Sequence, residues 1–123
     1  MSLRVLVVDD DQDARELLNE LLEMMGAKVL AASSVAEAVE RLDEAPDVVL
    51  SDIGMPEADG FELARRIQAH PNRARLRLIA LTGYSGADFF NRLTAAGFDH
   101  VLIKPFPLAA LRDLIGAGSD DTG

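Results

Sequence analysis

Five short apolar segments of strand length recur along the chain. Most are continuous apolar runs rather than strict alternations, which is typical of strands buried on both faces of a sheet. They cover residues 3–8, 28–32, 47–50, 76–81 and 101–103. The pattern therefore predicts five β-strands.

Between these segments lie stretches with the apolar spacing of amphipathic helices. In residues 11–25 the apolar side chains fall on one stripe, and Gly26 stands where a helix would stop. Ser33 or Ser34 can cap the second helix, and Gly97 stops the fourth. The second to fifth helical stretches cover residues 35–42, 61–67, 89–96 and 107–115.

Strands and helices thus alternate five times, which favours parallel strands joined by right-handed helical crossovers. We predict a flavodoxin-like, doubly wound α/β fold, with a five-stranded parallel sheet in the order 2-1-3-4-5 and helices on both faces. The length of 123 residues fits one domain, assigned to residues 1–116. Residues 117–123 are small and polar, and are predicted to be a flexible tail or the start of a linker.

Composition and charge exclude several classes of function. The chain has no cysteine, which rules out disulfides and thiolate metal sites. No apolar run approaches the roughly 20 residues that span a bilayer, and no signal peptide is evident, so we expect a cytoplasmic protein without membrane insertion. The net charge of −9 repels phosphate backbones, so direct binding of nucleic acid is not expected.

Polar residues with chemical potential stand at the carboxyl ends of the predicted strands, which share one edge of a parallel sheet and commonly bind ligands. In the order 2-1-3-4-5 the first and third strands are neighbours, so their acidic residues would converge. The residues are Asp9, Asp10 and Asp11 after the first strand, Asp52 after the third, Thr82 at the end of the fourth and Lys104 after the fifth.

Clustered carboxylates raise each other's pKa unless a cation is bound. Oxygen ligands without His or Cys favour Mg²⁺, for which Mn²⁺ could substitute. Asp52 could then act as a nucleophile toward phosphorus, with Lys104 neutralising phosphoryl charge and Thr82 donating a hydrogen bond. Taken singly, Asp11 is better explained as a helix cap, Thr82 as a turn residue and Lys104 as a solvated lysine. The argument therefore depends on all the strand ends together.

The chain resembles the receiver domains of two-component response regulators over nearly its whole length. The resemblance implies a signalling module that catalyses its own phosphoryl transfer and slow dephosphorylation, rather than an enzyme acting on a separate substrate. The motifs that begin at Leu81 and at Gly97 resemble those of receivers attached to hybrid sensor kinases. The motifs are Val8-Asp9-Asp10-Asp11, Asp52-Ile53-Gly54-Met55-Pro56, Leu81-Thr82-Gly83, Gly97-Phe98-Asp99-His100 and Lys104-Pro105-Phe106.

By this resemblance each motif residue acquires a role. Asp52 is the phosphoacceptor, Thr82 and Lys104 contact the phosphoryl group, and the Lys104–Pro105 peptide bond is cis. The metal is held by Asp9, Asp10, Asp52 and the main-chain carbonyl of Gly54. The phosphoryl donor is a phosphohistidine on a histidine kinase or a histidine phosphotransfer protein. An output domain or a second receiver would bind through the fourth helix, fifth strand and fifth helix.

Two departures from the family pattern affect the expected behaviour. Val101 stands where receivers often carry the aromatic ring that swings as the threonine moves, so the switch is assigned to Thr82, with Tyr84 as a substitute ring and Val101 as the altered position. Gly54 is small where many relatives have a longer side chain, which leaves the acceptor more open to water.

Two alternatives remain open at this point. The Asp9-Asp10-Asp11 run also resembles the nucleophile motif of haloacid-dehalogenase-like phosphatases, with Asp9 as nucleophile. That interpretation leaves Asp52 unexplained and the chain too short for a cap domain. The second alternative is a degenerate receiver that acts only as a binding module, which Val101 keeps open.

Overall fold

The structure, a computed structural model, describes residues 3–53, 59–83 and 86–119. Strands and helices alternate along the chain as predicted. The strands are β1 Arg4–Val8, β2 Lys28–Ala32, β3 Val48–Asp52, β4 Arg77–Thr82 and β5 His100–Ile103. The α-helices are α1 Gln12–Met24, α2 Val35–Arg41, α3 Asp59–Gln68, α4 Ala87–Ala96 and α5 Leu108–Ser119. Short 3₁₀ helices cover Leu42–Glu44 and Arg73–Arg75.

The five strands form one parallel sheet in the order β2-β1-β3-β4-β5, which confirms the predicted topology. β1 and β3 are neighbours, and Val7 lies opposite Leu50. The chain reverses its direction of travel across the sheet between β2 and β3, so the crevice between β1 and β3 is the switch point where such sheets bind ligands.

Apolar side chains cover both faces of the sheet. Alternate residues of each strand point to opposite faces, so Leu6 and Val8 enter one core while Val5 and Val7 enter the other. The first core is closed by α2, α3 and α4, and the second by α1 and α5. The predicted placement of helices on both faces is confirmed.

Helix ends follow the predicted signals at several positions. The carboxylate of Asp11 accepts a hydrogen bond from the amide of Asp13 at 3.0 Å, and Ser34 Oγ accepts one from Glu37 at 3.2 Å. Gly26 and Gly97 have φ angles of +91° and +108°, in the left-handed region that glycine adopts without a Cβ penalty. Asp11 therefore serves as the N-cap of α1, as the simpler interpretation held.

The last helix is longer than expected. α5 continues to Ser119, so the first three residues of the predicted tail, 117–119, have helical backbone. The low helix propensity of glycine is a weak signal beside a helix that is already packed on the sheet, which explains why the end of the fifth helix was predicted too early. The boundary between a domain of residues 1–116 and a tail stays a prediction. Among the described residues, no helix combines the length and the apolar character that crossing a membrane requires.

Candidate functional site

Two buried carboxylates meet at the switch point because of strand register. Val7 lies opposite Leu50 and Val8 opposite Ser51, so the next residues, Asp9 and Asp52, come level with each other on neighbouring strands. Asp9 continues the row of Val7, and Asp52 continues the row of Leu50, on the face covered by α1 and α5. The alternation of the strands therefore brings these two side chains together.

Asp10 completes an acidic cluster at this edge. One carboxylate oxygen from each of Asp9, Asp10 and Asp52 lies within 4.8 Å of the other two. Asp9 and Asp52 are buried, whereas Asp10 is exposed at the mouth of the crevice. Three oxygen donors of this kind, one facing solvent, fit a hard divalent cation that keeps part of its water shell, such as Mg²⁺.

The electrostatics of the cluster also fit a cation. Burial raises the pKa of the Asp9 carboxyl above its usual range, and the neighbouring Asp52 carboxylate raises it further. The amide of Asp11, which donates to Asp9 Oδ1 at 2.9 Å, and the ammonium of Lys104 lower that pKa in part. The charge that accumulates here would be relieved by a bound divalent ion.

Lys104 lies beside the predicted acceptor. Its Nζ is 3.2 Å from Asp52 Oδ1, and its own side chain is 38% exposed, so the ammonium can still move. The peptide bond between Lys104 and Pro105 is cis, as predicted. The amide of Lys104 donates to the carbonyl of Thr82 at 2.7 Å, which ties the turn after β5 to the end of β4.

Thr82 is the last residue of β4 and is fully buried. Asp52 pairs with Leu81, so Thr82 comes one position further along the neighbouring strand. Val101 is half-buried and packs against the core under α2, α3 and α4. Thr82 closes β4 as predicted, whereas Asp52 is the last residue of β3 rather than the residue after it, because its main chain still pairs with Leu81.

Two predicted site residues lie outside the described part of the chain. Gly54, the proposed carbonyl ligand, belongs to residues 54–58, and Tyr84, the proposed substitute ring, belongs to residues 84–85. Their roles therefore stay predictions. The structure brings together the other predicted residues of the site: Asp9, Asp10, Asp52 and Lys104, with Thr82 on the adjoining strand.

Sequence reasoning missed one residue at this site. Nη1 of Arg15, from the first turn of α1, donates to the main-chain carbonyl of Asp9 at 2.8 Å. A weak signal was available, because a cation in the first turn of a helix opposes the helix dipole and calls for an explanation.

Comparison with known proteins agrees with the geometry. The response regulator receiver domain family matches residues 5–116. The response regulator receiver protein CpdR of Brucella abortus is 40% identical over 114 residues, which cover 91% of this chain and 90% of CpdR. The virulence sensor protein BvgS of Bordetella bronchiseptica is 42% identical over 118 residues; these cover 91% of this chain but 10% of BvgS.

Solved structures show the same architecture. The chemotaxis response regulator CheY4 of Vibrio cholerae superposes with a TM-score of 0.86 and 25% identity, covering 96% of this chain and 99% of CheY4. The receiver domain of sensor histidine kinase PA1611 from Pseudomonas aeruginosa, which has a magnesium ion coordinated in its active site cleft, superposes with a TM-score of 0.84 and 26% identity. That match covers 95% of this chain and 97% of the PA1611 domain. The chain belongs to the response regulator receiver domain family of two-component signalling.

Proposed function

We propose that this chain is a phosphoacceptor signalling module that takes a phosphoryl group onto Asp52 in a Mg²⁺-dependent reaction. The observation that carries the proposal is the convergence of Asp9, Asp10 and Asp52 within 4.8 Å, with Lys104 Nζ 3.2 Å from Asp52. Among the described residues, this cluster is the one group of metal-ligating side chains of its kind.

In the proposed reaction a carboxylate oxygen of Asp52 attacks the phosphorus of a phosphohistidine. The new O–P bond forms as the P–N bond breaks, and the electron pair of the broken bond returns to the donor imidazole. Lys104, which faces Asp52 Oδ1, would shift its ammonium to a phosphoryl oxygen, since its half-exposed side chain is free to reorient. The Thr82 hydroxyl would donate a hydrogen bond to another phosphoryl oxygen.

The metal would be held by Asp9, Asp10 and Asp52, together with the carbonyl of Gly54, which lies outside the described residues. When bound, Mg²⁺ or Mn²⁺ supplies the positive charge that lets an anionic phosphoryl group approach a cluster of carboxylates. Asp52 is buried, so it meets the donor through the mouth of the crevice, where Asp10 faces solvent.

We further propose a histidine kinase or a histidine phosphotransfer protein as the donor, and the cytoplasm as the place of action. BvgS, a sensor protein, contains a similar segment in about a tenth of its length, which supports an origin in a hybrid kinase. The surface formed by α4, β5 and α5 is the proposed site for an output domain or a second receiver. This surface exposes apolar side chains at the last residue of β5 and the first residue of α5: Ile103 and Leu108 are 37% and 41% exposed.

The test is mass spectrometry of the intact chain after incubation with acetyl phosphate. We expect addition of one phosphoryl group only with Mg²⁺ or Mn²⁺ present, and borohydride trapping should locate it at Asp52. Asp52→Asn should lose the label, because an amide is a poor nucleophile toward phosphorus. Full labelling of Asp52→Asn would contradict the proposal.

The same experiment separates the two alternatives. A label at Asp9 would favour the phosphatase-like mechanism, in which Asp9 is the nucleophile. No label at any residue, in a protein that still binds a partner kinase, would favour a receiver that acts only as a binding module. The pairing of Lys104 with Asp52 rather than with Asp9 supports Asp52 as the acceptor.

A further inference from the structure

Arg15 holds the turn that carries two of the acidic residues. Its Nη1 donates to the carbonyl oxygen of Asp9 at 2.8 Å. That oxygen belongs to the peptide group that joins Asp9 to Asp10, so the bond fixes the plane of this peptide. The same peptide group supplies the amide of Asp10, so its plane restrains the direction in which the Asp10 side chain leaves the backbone.

The two acidic residues of the turn differ in how they are held. Asp9 is anchored at three points: its amide donates to Ala32 at 3.1 Å, its Oδ1 accepts from Asp11, and its carbonyl accepts from Arg15. Asp10 is exposed, and within the described part of the chain its carboxylate takes part in no hydrogen bond or ion pair. The direction in which the Asp10 carboxylate points therefore depends on the backbone that Arg15 restrains.

The location of Arg15 is unfavourable for a cation in two respects, offset in part by its interaction with Glu37, whose pKa the charge of Arg15 lowers. Arg15 is the fourth residue of α1, where a cation opposes the positive end of the helix dipole. Its charge also lies beside a site that must attract a metal cation. The guanidinium binds a carbonyl and no carboxylate of the cluster, so it restrains the turn without serving as the counter-ion, a role that Lys104 fills.

We infer that Arg15 is a positioning residue of the phosphoryl-transfer site: by fixing the Asp9–Asp10 peptide through its bond to the Asp9 carbonyl, it orients Asp10 toward the divalent cation. Partners that orient ligands in this way commonly change metal affinity when removed. The inference rests on the proposed function, and extends it to a residue on α1 that contacts no reacting atom.

An effect of Arg15 through its charge and an effect through positioning predict opposite changes in Mg²⁺ affinity when Arg15 is replaced, which makes the inference testable. Replacing Arg15 by a neutral residue makes the site more negative, so charge alone would tighten Mg²⁺ binding. Loss of positioning would weaken it instead. Arg15→Met keeps the apolar stem and removes both charge and donor, whereas Arg15→Lys keeps the charge and a donor.

The experiment titrates the full chain and each variant with MgCl₂ by calorimetry, after thermal melts show that the variants are folded. We expect Arg15→Met to weaken Mg²⁺ binding about tenfold. Arg15→Lys should bind more tightly than Arg15→Met. The rate of phosphorylation by acetyl phosphate should follow the same order, with Arg15→Met needing about tenfold more MgCl₂ than the parent to reach its half-maximal rate. Arg75→Met, an equal loss of charge at an exposed position before β4, is the control and should bind no more weakly than the parent.

An Arg15→Met protein that binds Mg²⁺ as tightly as the parent, or more tightly, would overturn the inference. So would an Arg15→Lys protein that binds no more tightly than Arg15→Met, because positive charge alone would produce that order. If the parent binds Mg²⁺ but is not phosphorylated, the proposed function fails while the comparison of affinities still decides the role of Arg15. A parent that binds no Mg²⁺ would overturn both.

Discussion

At the scale of single residues, the buried carboxyl of Asp9 is expected to lower the stability of the metal-free fold. Its carboxyl is buried beside Asp52, and burial is the main cause of its raised pKa. A carboxyl whose pKa is higher in the folded state holds its proton more tightly there. Its contribution to stability is complete below the pKa of the unfolded chain, and is lost as the pH rises through the folded-state pKa. Above its folded-state pKa, the ionised Asp9 is therefore expected to destabilise the metal-free protein.

We predict that Asp9→Asn melts at a higher temperature than the parent at neutral pH in EDTA. The asparagine carbonyl can still accept the hydrogen bond from Asp11 that Asp9 Oδ1 receives, so the change removes charge and little else. The gain should shrink as the pH is lowered to the point where Asp9 is protonated in both states. Melts followed by circular dichroism across this pH range measure it.

Asp13→Asn is the control for this change. Asp13 lies in the first turn of α1, where a carboxylate favours the helix dipole, so its loss should lower the melting temperature slightly. The two variants remove the same charge from neighbouring positions and should move stability in opposite directions. A lower melting temperature for Asp9→Asn at neutral pH would show that the carboxylate cluster does not strain the metal-free fold.

At the scale of elements, the two left-handed glycines after α1 and α4 differ in their surroundings. A Cβ built on Gly26 meets no atom within 4 Å, whereas one on Gly97 would collide with the end of the Gln68 side chain. Gln68 Oε1 accepts a hydrogen bond from Arg73 Nε at 3.1 Å, so the glutamine cannot move without disturbing this contact.

We predict that Gly26→Ala costs about 1–2 kcal/mol, the ordinary penalty for a left-handed non-glycine residue. Gly97→Ala should cost about 1 kcal/mol more, through the displaced hydrogen bond of Gln68. In a Gln68→Ala background the two glycine substitutions should become nearly equal. Urea unfolding of the single and double variants measures the difference, and an unchanged gap in that background would exclude Gln68 as its cause.

The route by which phosphorylation would change the rest of the domain also depends on how the helices and strands pack. Val101 has no ring and a stiff χ1, so it has few states to switch between. The aromatic contacts lie elsewhere: Phe61 on α3 packs edge to face with Phe89 at the start of α4, with ring centroids 6.0 Å apart. A movement of Thr82 toward a phosphoryl oxygen would pull residues 83–88 and, through Phe89, reach α3.

We therefore predict that phosphorylation perturbs the segment after Thr82 and the start of α4 more than β5. The hydrogen bond from Thr82 would supply the difference in free energy between the two states. Amide chemical shifts with and without beryllofluoride, a phosphoryl mimic, measure this, and Phe61 should respond as well. Large shifts at Val101 with none from Gly83 to Asp88 would contradict it.

How well the bounds of a strand could be predicted depends on whether its apolar side chains or its main-chain pairing determine where it ends. β2 was predicted with its observed bounds, because its apolar run ends where the strand ends. The end of β3 was placed too early, since Asp52 is polar although its main chain still pairs with β4, whereas Thr82 was correctly placed at the end of β4. The acidic cluster was predictable from strand ends alone. The place of Arg15 in the first turn of α1 was a weak signal, but its acceptor on Asp9 could not be predicted, because a long side chain can reach many acceptors.

At the scale of the whole molecule, the net charge of −9 has two contributions of different kinds. One comes from acidic groups spread over the surface, and the other from the acidic cluster at the carboxyl ends of the strands. Dissolved salt screens the repulsion among all the exposed acidic groups. The cluster of Asp9, Asp10 and Asp52 is different, because its three carboxylate oxygens lie within 4.8 Å of one another, a spacing that fits a shared divalent ion. The unfolded chain has no such cluster, so Mg²⁺ should favour the folded state by an amount that sodium cannot supply.

The last prediction follows from this difference. A ligand that binds only the folded state stabilises it by about 2.7 kcal/mol at a concentration one hundred times its dissociation constant. MgCl₂ should therefore raise the melting temperature more than NaCl does at equal ionic strength. Asp10→Ala should keep the response to NaCl and lose the additional effect of Mg²⁺, because Asp10 is exposed and contributes to the cluster rather than to the core. If Asp10→Ala kept the full additional effect, Mg²⁺ would be acting elsewhere on the acidic surface, and the cluster would not be its binding site.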